Sequence, residues 1–202
     1  MVLSPGELGQ LVVLFFVIID PITSFAVFFV LTNEKSKEER TRTAILAVAV
    51  AAALIYAVLL LGQLLLRMFS TTIDDFRVAG GIILLILGIQ MALGQSLQAP
   101  GGSGGNHKSV QAIAAIVATP FLSGPAAITA VIISVKDLGM LETGLAVTVV
   151  LVFTAVLFIL SARLNRFINR TVVQIMSTIM GMLTIAWGVM YIRTGIMAFM
   201  GA

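Results

Sequence analysis

Long apolar runs separated by short polar ones dominate this chain. Six stretches, about residues 8–32, 43–66, 75–95, 110–134, 140–162 and 172–192, are each apolar over the length that a membrane-crossing helix needs, roughly 20 residues. The charges fall almost entirely between them. The pattern predicts an all-α membrane protein with six transmembrane helices. The first stretch has no basic start and no small-residue cleavage site, and it continues through Asp20 and Pro21 for a full span. It is therefore expected to stay in the membrane rather than be removed as a signal peptide.

The polar connections divide the chain. Residues 33–42 (NEKSKEERTR) are a solvated charge run whose acidic and basic side chains can extend a helix through pairs four apart. Residues 99–106 (APGGSGGN) have linker composition and fall near the middle of the sequence. This predicts a three-helix repeat at 1–98, a flexible linker at 99–107 and a second three-helix repeat at 108–202. Lys35, Lys37, Arg40, Arg42, Lys108, Arg163, Arg166 and Arg170 fall on one side of the six-span arrangement, and Arg67, Arg77, Lys136 and Arg193 on the other. The excess of cations marks the first side as cytoplasmic. A cell (inner) membrane location with both termini on the outer face is the expectation.

Composition excludes several alternatives. Of 202 residues, 59% are hydrophobic and 10% charged, and the mean hydropathy is +1.12. A soluble fold is nearer half apolar and a quarter charged, so a soluble enzyme or a disordered chain does not fit. The net charge of +3 comes without clustered basic residues, which argues against nucleic-acid binding. The sequence has no Cys and a single His, His107, in the linker. No metal site or cofactor is expected. An intramembrane protease would need a second deep aspartate, a Ser/His pair or a His-rich centre, so no enzymatic activity is expected. Met176, Met180, Met182 and Met190 in the last span read as packing rather than a soft-metal path, because no Cys or His accompanies them.

Two features repeat between the halves. Gly81 and Gly88 in the third span match Gly181 and Gly188 in the sixth, seven apart each time and offset by one hundred. Glycines seven apart lie near one helix face, where another backbone can approach. The first and fourth spans are each interrupted by proline, at Asp20-Pro21 and Gly124-Pro125. With three spans per half, the second half must insert inverted relative to the first. The expected architecture is two inverted three-helix repeats with discontinuous helices 1 and 4.

The interruptions are where chemistry is expected. Pro21 leaves the Val17 carbonyl without its helical donor; Pro125 does the same to Phe121, and Pro120 to Ile116. Inside hydrocarbon such a carbonyl is tolerated only where protein or a watery cavity receives it. Asp20-Pro21 reads as a cap plus the first residue of a restarted helix, and Ser123-Gly124-Pro125 reads likewise. Each break falls roughly 20 Å into its span, near mid-bilayer. The helix starts at Ile22, Thr23 and Ser24 and at Ala126, Ala127 and Ile128 would offer free amides to an anionic group. Asp20 is the only ionisable residue deep in a span, and such carboxylates are usually functional. It has two compatible readings: a helix cap, and a group that attracts an ammonium or carries a proton. The hydroxyls of Thr23, Ser24, Thr119, Ser123 and Thr129 surround the breaks, each expected to bond a preceding helical carbonyl. Gly80, Gly81, Thr119, Pro120 and Gly181 are expected to pack beside the site.

Residues 20–32 (DPITSFAVFFVLT), 76–88 (FRVAGGIILLILG), 118–129 (ATPFLSGPAAIT) and 179–189 (IMGMLTIAWGV) closely resemble the MarC family of small integral membrane proteins. The resemblance covers essentially the whole chain. It implies six spans in inverted repeats with interrupted first and fourth helices, and relatives that transport small neutral amino acids. The family's Asp-Pro falls on Asp20 and Pro21, its Gly-Pro on Gly124 and Pro125, its upstream proline on Pro120 and its paired glycines on Gly80 and Gly81. Where many members carry Gly-Asn after Asp-Pro-x, Thr23 and Ser24 stand here, and Ala126 replaces a frequent glycine. A methyl or hydroxyl beside a glycine-sized site bears on which solute fits.

The expected function is secondary transport of a small neutral amino acid by alternating access, with Asp20 as proton-coupling candidate. The expected binding residues are Asp20, Pro21, Thr23, Ser24, Ser123, Gly124, Pro125, Ala126 and Ala127. The partners are a small zwitterionic solute and the lipid bilayer, with oligomeric assembly open. A channel or exporter for another small polar solute, and a non-transporting scaffold, are the alternatives.

Overall fold

The structure, a computed structural model, describes residues 5–32, 34–94, 109–162 and 170–201. The predicted linker at 99–107, with His107, and the cations Lys108, Arg163 and Arg166 lie outside the described residues, as do the side chains of Pro120 and Arg170. Among the described residues the chain forms eight α-helices and no strand. They are α1 Pro5–Ile19, α2 Pro21–Thr32, α3 Lys37–Met68, α4 Ile73–Ala92, α5 Val110–Ile116, α6 Pro125–Asp137, α7 Met140–Ile159 and α8 Arg170–Phe199. A π-helical turn, Val117–Leu122, lies between α5 and α6.

Five stretches are long and apolar enough to cross a bilayer: Gly6–Thr32, Lys37–Met68, Ile73–Ala92, Met140–Ile159 and Thr171–Phe199. The protein is an integral, multi-pass, all-α membrane protein. The stretch read as a fourth span, 110–134, is instead delivered as α5, the π turn and α6, and none of these reaches spanning length alone. The proline pattern is the reason: Pro120 and Pro125 each deny the helix a donor within six residues.

Helix boundaries follow local chemistry. Ser36 caps α3 in a reciprocal box with Glu39, so the charge run supplies the first turns of that helix, and Lys35 stands 3.9 Å from Glu39. Thr72 and Asp75 form the same box at the start of α4. On α3 the buried positions are Thr43, Ala44, Ala47, Ala51, Ile55, Leu59, Gly62 and Leu66, at spacings of three and four. Ile45, Leu54, Leu60, Leu61, Leu64 and Leu65 are exposed. Ala44, Ala47, Ala51 and Gly62 let neighbouring elements approach the inner face, and large apolar side chains stand on the outer one, as suits a helix whose outer solvent is lipid.

The halves interleave. α1 packs on α7 and α5 on α3, while α6 packs on α4 and α2 on α8. The main core gathers Phe15, Phe28, Ile55, Ile113, Leu122, Val147 and Phe158, with the Phe28 and Phe158 rings stacked at 4.5 Å. The most extensive interface joins α4 to α8, and glycine makes it. A Cβ on Gly81 would stand 2.6 Å from the Gly188 carbonyl, and one on Gly188 2.8 Å from the Gly81 carbonyl. Gly88 and Gly181 stand in the same relation, at 2.8 and 2.7 Å. The pairing of 81 with 188 and 88 with 181 is antiparallel and reciprocal. Gly80 faces the Thr129 side chain, bringing α4 against α6, and Gly62 leaves room for Ile132.

These close approaches make a stability prediction. Gly88→Ala should cost about 1–3 kcal/mol, because the methyl meets the Gly181 carbonyl and the Ile185 amide of α8 as well as the Ile185 side chain. Gly9→Ala, at a helical position with open space around it, should be neutral or stabilise by up to about 1 kcal/mol. Thermal unfolding of the purified variants checks this, and equal melting of the two would contradict the glycine seam.

Candidate functional site

The first interruption is one residue wide. The Asp20 N–H donates to the Phe16 carbonyl at 3.1 Å, closing α1, and the Ser24 N–H donates to the Asp20 carbonyl at 3.1 Å, opening α2. Between them Asp20 adopts φ +45°, a left-handed conformation that Asp and Asn tolerate better than most residues. The turn brings the Asp20 carboxylate to the first turn of α2. Its Oδ1 accepts from the Thr23 N–H at 3.2 Å, which makes it the cap of α2. The Ser24 hydroxyl donates to the Ile19 carbonyl at 3.3 Å, serving a group at the end of α1 that the break leaves short of a helical donor. Thr23 Oγ1 is fully buried without a well-formed hydrogen bond. Asp20, Pro21, Thr23 and Ser24 are all buried.

The second interruption is wider and differently made. The Ser123 N–H and hydroxyl both donate to the Ala118 carbonyl, at 2.9 and 2.8 Å, closing the π turn around Pro120. A π turn lengthens the loop by one residue, one way to house a proline that an α-helix cannot. Gly124 then takes extended backbone (φ −67°, ψ 175°), and α6 starts at Pro125 with no side-chain cap. The Ile128 N–H donates to the Gly124 carbonyl at 3.1 Å.

These contacts correct the expectation that three amides are free at each helix start. Ser24 and Ile128 already bond backbone carbonyls, and Thr23 bonds Asp20. The amides of Ala126 and Ala127, in the uncapped first turn of α6, are the ones no side chain serves. The two starts are thus unequal, one closed by its own carboxylate and the other without one.

The breaks lie in one region. α1 packs against α6, and α2 against the π turn. Ile18, two residues before Asp20, packs into the cluster of Leu84, Ala126, Ile133 and Tyr191. Ile19, Leu122 and Ala127 share the main core. Ser123, Gly124, Ala126 and Ala127 are buried, whereas Pro125 is exposed. Gly80, Gly81 and Gly181 are buried as packing positions, but Thr119 is exposed and stands outside the group of buried hydroxyls. Thr119 sits in the π turn, so it is not one of the packing positions beside the site that the sequence led us to expect. Trp187 packs against the main core, and Met182 and Met190 are exposed while Met180 is buried. Among the described residues no cluster of His, Cys, Asp and Glu could hold a metal ion.

The sequence reading missed a polar clasp at the far end of α6. Arg77 Nη1 donates to Asp74 Oδ1 at 2.6 Å and Nη2 donates to Asp137 Oδ1, so one guanidinium joins the start of α4 to the last turn of α6. Gly195 brings α8 against the Asp74 carbonyl at the same place. Arg77 and Asp137 are sixty residues apart, and their only shared signal is a position at the same end of alternating spans.

The helix-broken, multi-pass architecture defines an integral membrane protein, and comparison with known proteins gives its lineage. Residues 6–200 match the MarC family integral membrane proteins, and the chain belongs to that family. It is 30% identical over 191 residues to a UPF0056 membrane protein of Buchnera aphidicola subsp. Baizongia pistaciae, covering 91% of this chain and 89% of the relative. It is 31% identical to the UPF0056 membrane protein MJ1677 of Methanocaldococcus jannaschii, over 90% and 91% of the two chains. It is 26% identical to the UPF0056 membrane protein YhcE of Escherichia coli, over 90% and 87%. No solved structure matches the chain.

The geometry at Asp20 separates shape from charge. Asparagine caps helices about as well as aspartate and also tolerates positive φ. Asp20→Asn should therefore leave stability within about 0.5 kcal/mol, whereas Asp20→Leu should lose roughly 1–3 kcal/mol from the cap and the left-handed backbone. Thermal melts of the two variants test this. Asparagine as damaging as leucine would mean that the charge itself holds the break.

Proposed function

We propose that the protein is a secondary transporter of small neutral amino acids, working by alternating access between two inverted three-helix halves at 1–98 and 108–202, joined by the linker at 99–107. The inequality of the two helix starts carries the reading. A zwitterion has one group of each sign. Its carboxylate suits the uncapped amides of Ala126 and Ala127, where the peptide dipoles favour negative charge. Its ammonium suits the Asp20 carboxylate, with the unbonded Thr23 hydroxyl as a further acceptor. Gly124 and Ala126, small residues at that helix start, suit a small side chain.

The reciprocal glycine pairing supports the inverted relation, because a rotation exchanging 81 with 181 also exchanges 188 with 88. The interchanged packing of α1 on α7 and α5 on α3 supports it too. Burial of the site residues fits a solute that enters when the halves part. On this reading α5, the π turn and α6 together make the sixth crossing, and the protein sits in the cell (inner) membrane with both termini outside. Asp20 carries the coupled proton, and no cofactor, metal or enzymatic step is involved.

Flux in proteoliposomes tests the proposal. Radiolabelled glycine, alanine or serine should cross protein-containing vesicles faster than empty ones, and a proton gradient should drive accumulation. Asp20→Asn should reduce gradient-driven flux at least about tenfold, the loss of about 1.4 kcal/mol. Absence of flux for all three solutes would overturn the transport reading. Unchanged rate and pH dependence in Asp20→Asn would overturn the proton role alone.

A further inference from the structure

A groove of 710 Å³ opens where the first turns of α3 pass the start of α5. One wall is a single face of α3, with Glu38, Arg42, Ile45 and Ala49 following at helical spacing and Lys37 at the lip. Gln111 of α5 lines the groove as well. The charge run has divided its cations between two uses. Lys35 stands beside Glu39 at 3.9 Å. Arg40 turns inward, where Nη2 donates to the Thr32 carbonyl at 3.0 Å and the guanidinium lies 5.5 Å from the Phe29 ring centre. Lys37 and Arg42 instead stay exposed and line the groove. Among the described residues no ion pair engages Lys37, Arg42 or Glu38.

The lip therefore holds two cations against one carboxylate. One to two turns further along α3 the wall becomes hydrocarbon: Ile45 is 56% exposed, and Ala49 is exposed beside it. Lys37 to Ala49 spans roughly 18 Å along the helix, the distance from the headgroup layer well into the acyl region. A cationic lip above an apolar floor, at the point where a span enters the bilayer, matches a molecule with an anionic head and a hydrocarbon tail. A soluble anion makes no use of the floor, and a lipid with no net charge brings its own headgroup cation, which offsets the attraction of its phosphate to Lys37 and Arg42.

We infer that this groove is a binding site for an anionic phospholipid, its phosphate between Lys37 and Arg42 and its acyl chain along Ile45 and Ala49. Gln111 of α5 adds a donor from the neighbouring helix, so the bound lipid bridges α3 and α5. The inference is independent of what the protein carries.

Native mass spectrometry and thermal melts of the full chain in detergent test it, with phosphatidylglycerol, phosphatidylcholine and inorganic phosphate as probes. Phosphatidylglycerol should give retained one-to-one adducts and raise the melting temperature, and the other two should do neither. The double variant Lys37→Gln/Arg42→Gln should weaken phosphatidylglycerol binding about tenfold or more. Ala49→Phe, which fills the floor and keeps both cations, should weaken it as well. All three positions are exposed, and an unchanged melting temperature without lipid confirms that the variants fold. Equal binding of both lipids, binding of phosphate alone, or full retention of phosphatidylglycerol by either variant would overturn the assignment.

Discussion

A peptide group inside hydrocarbon must find its hydrogen bond within the protein, and that constraint shapes both interruptions of this chain. At each interruption a side chain or a changed helical pitch serves a backbone group near the break. At the first break Asp20 turns left-handed and closes the start of α2 with its own carboxylate, while Ser24 reaches back to the Ile19 carbonyl. At the second, Ser123 gives both its donors to Ala118 and the chain widens into a π turn. The two solutions differ because the residues differ. Asp can cap the helix that follows it, and Gly124 cannot. That difference in side chains becomes a difference in electrostatics, with a carboxylate at one helix start and unserved amides at the other.

The rest of the fold holds these two points together. Glycines on α4 and α8 let two backbones run almost in contact, making a rigid pair against which both second half-helices, α2 and α6, are packed. Gly80 admits Thr129, and Arg77 ties the last turn of α6 to the first of α4. A break in a membrane helix would otherwise be a point of weakness. Here its far segment is held at both ends, so the geometry at the break is kept.

Much of this was legible in the residues, and what was not has a physical reason. Proline denies a donor wherever it stands, so the sites of both breaks could be read from Pro21, Pro120 and Pro125. Glycine spacing likewise carried the α4 and α8 seam, because only a missing side chain permits that approach. The form of each break was not legible. Pro120 is compatible with a kink, a gap or a π turn, and the choice depends on Ser123 reaching Ala118. Thr119, expected to pack beside the site, lies in that turn and is exposed. Which amides remain unserved also depended on backbone angles that no residue type dictates. The clasp of Arg77 with Asp137 depended on tertiary placement alone.

Hydrogen–deuterium exchange on the full chain in lipid nanodiscs tests the account most directly, because it reads the backbone groups on which everything depends. Residues 20–24 and 123–128 should exchange faster than uninterrupted stretches at similar depth, such as 50–58 of α3 and 146–154 of α7. Glycine or alanine should slow both breaks together. If both segments are as protected as α3, and no small zwitterion changes either one, the breaks do not form a shared solute site and the account is wrong.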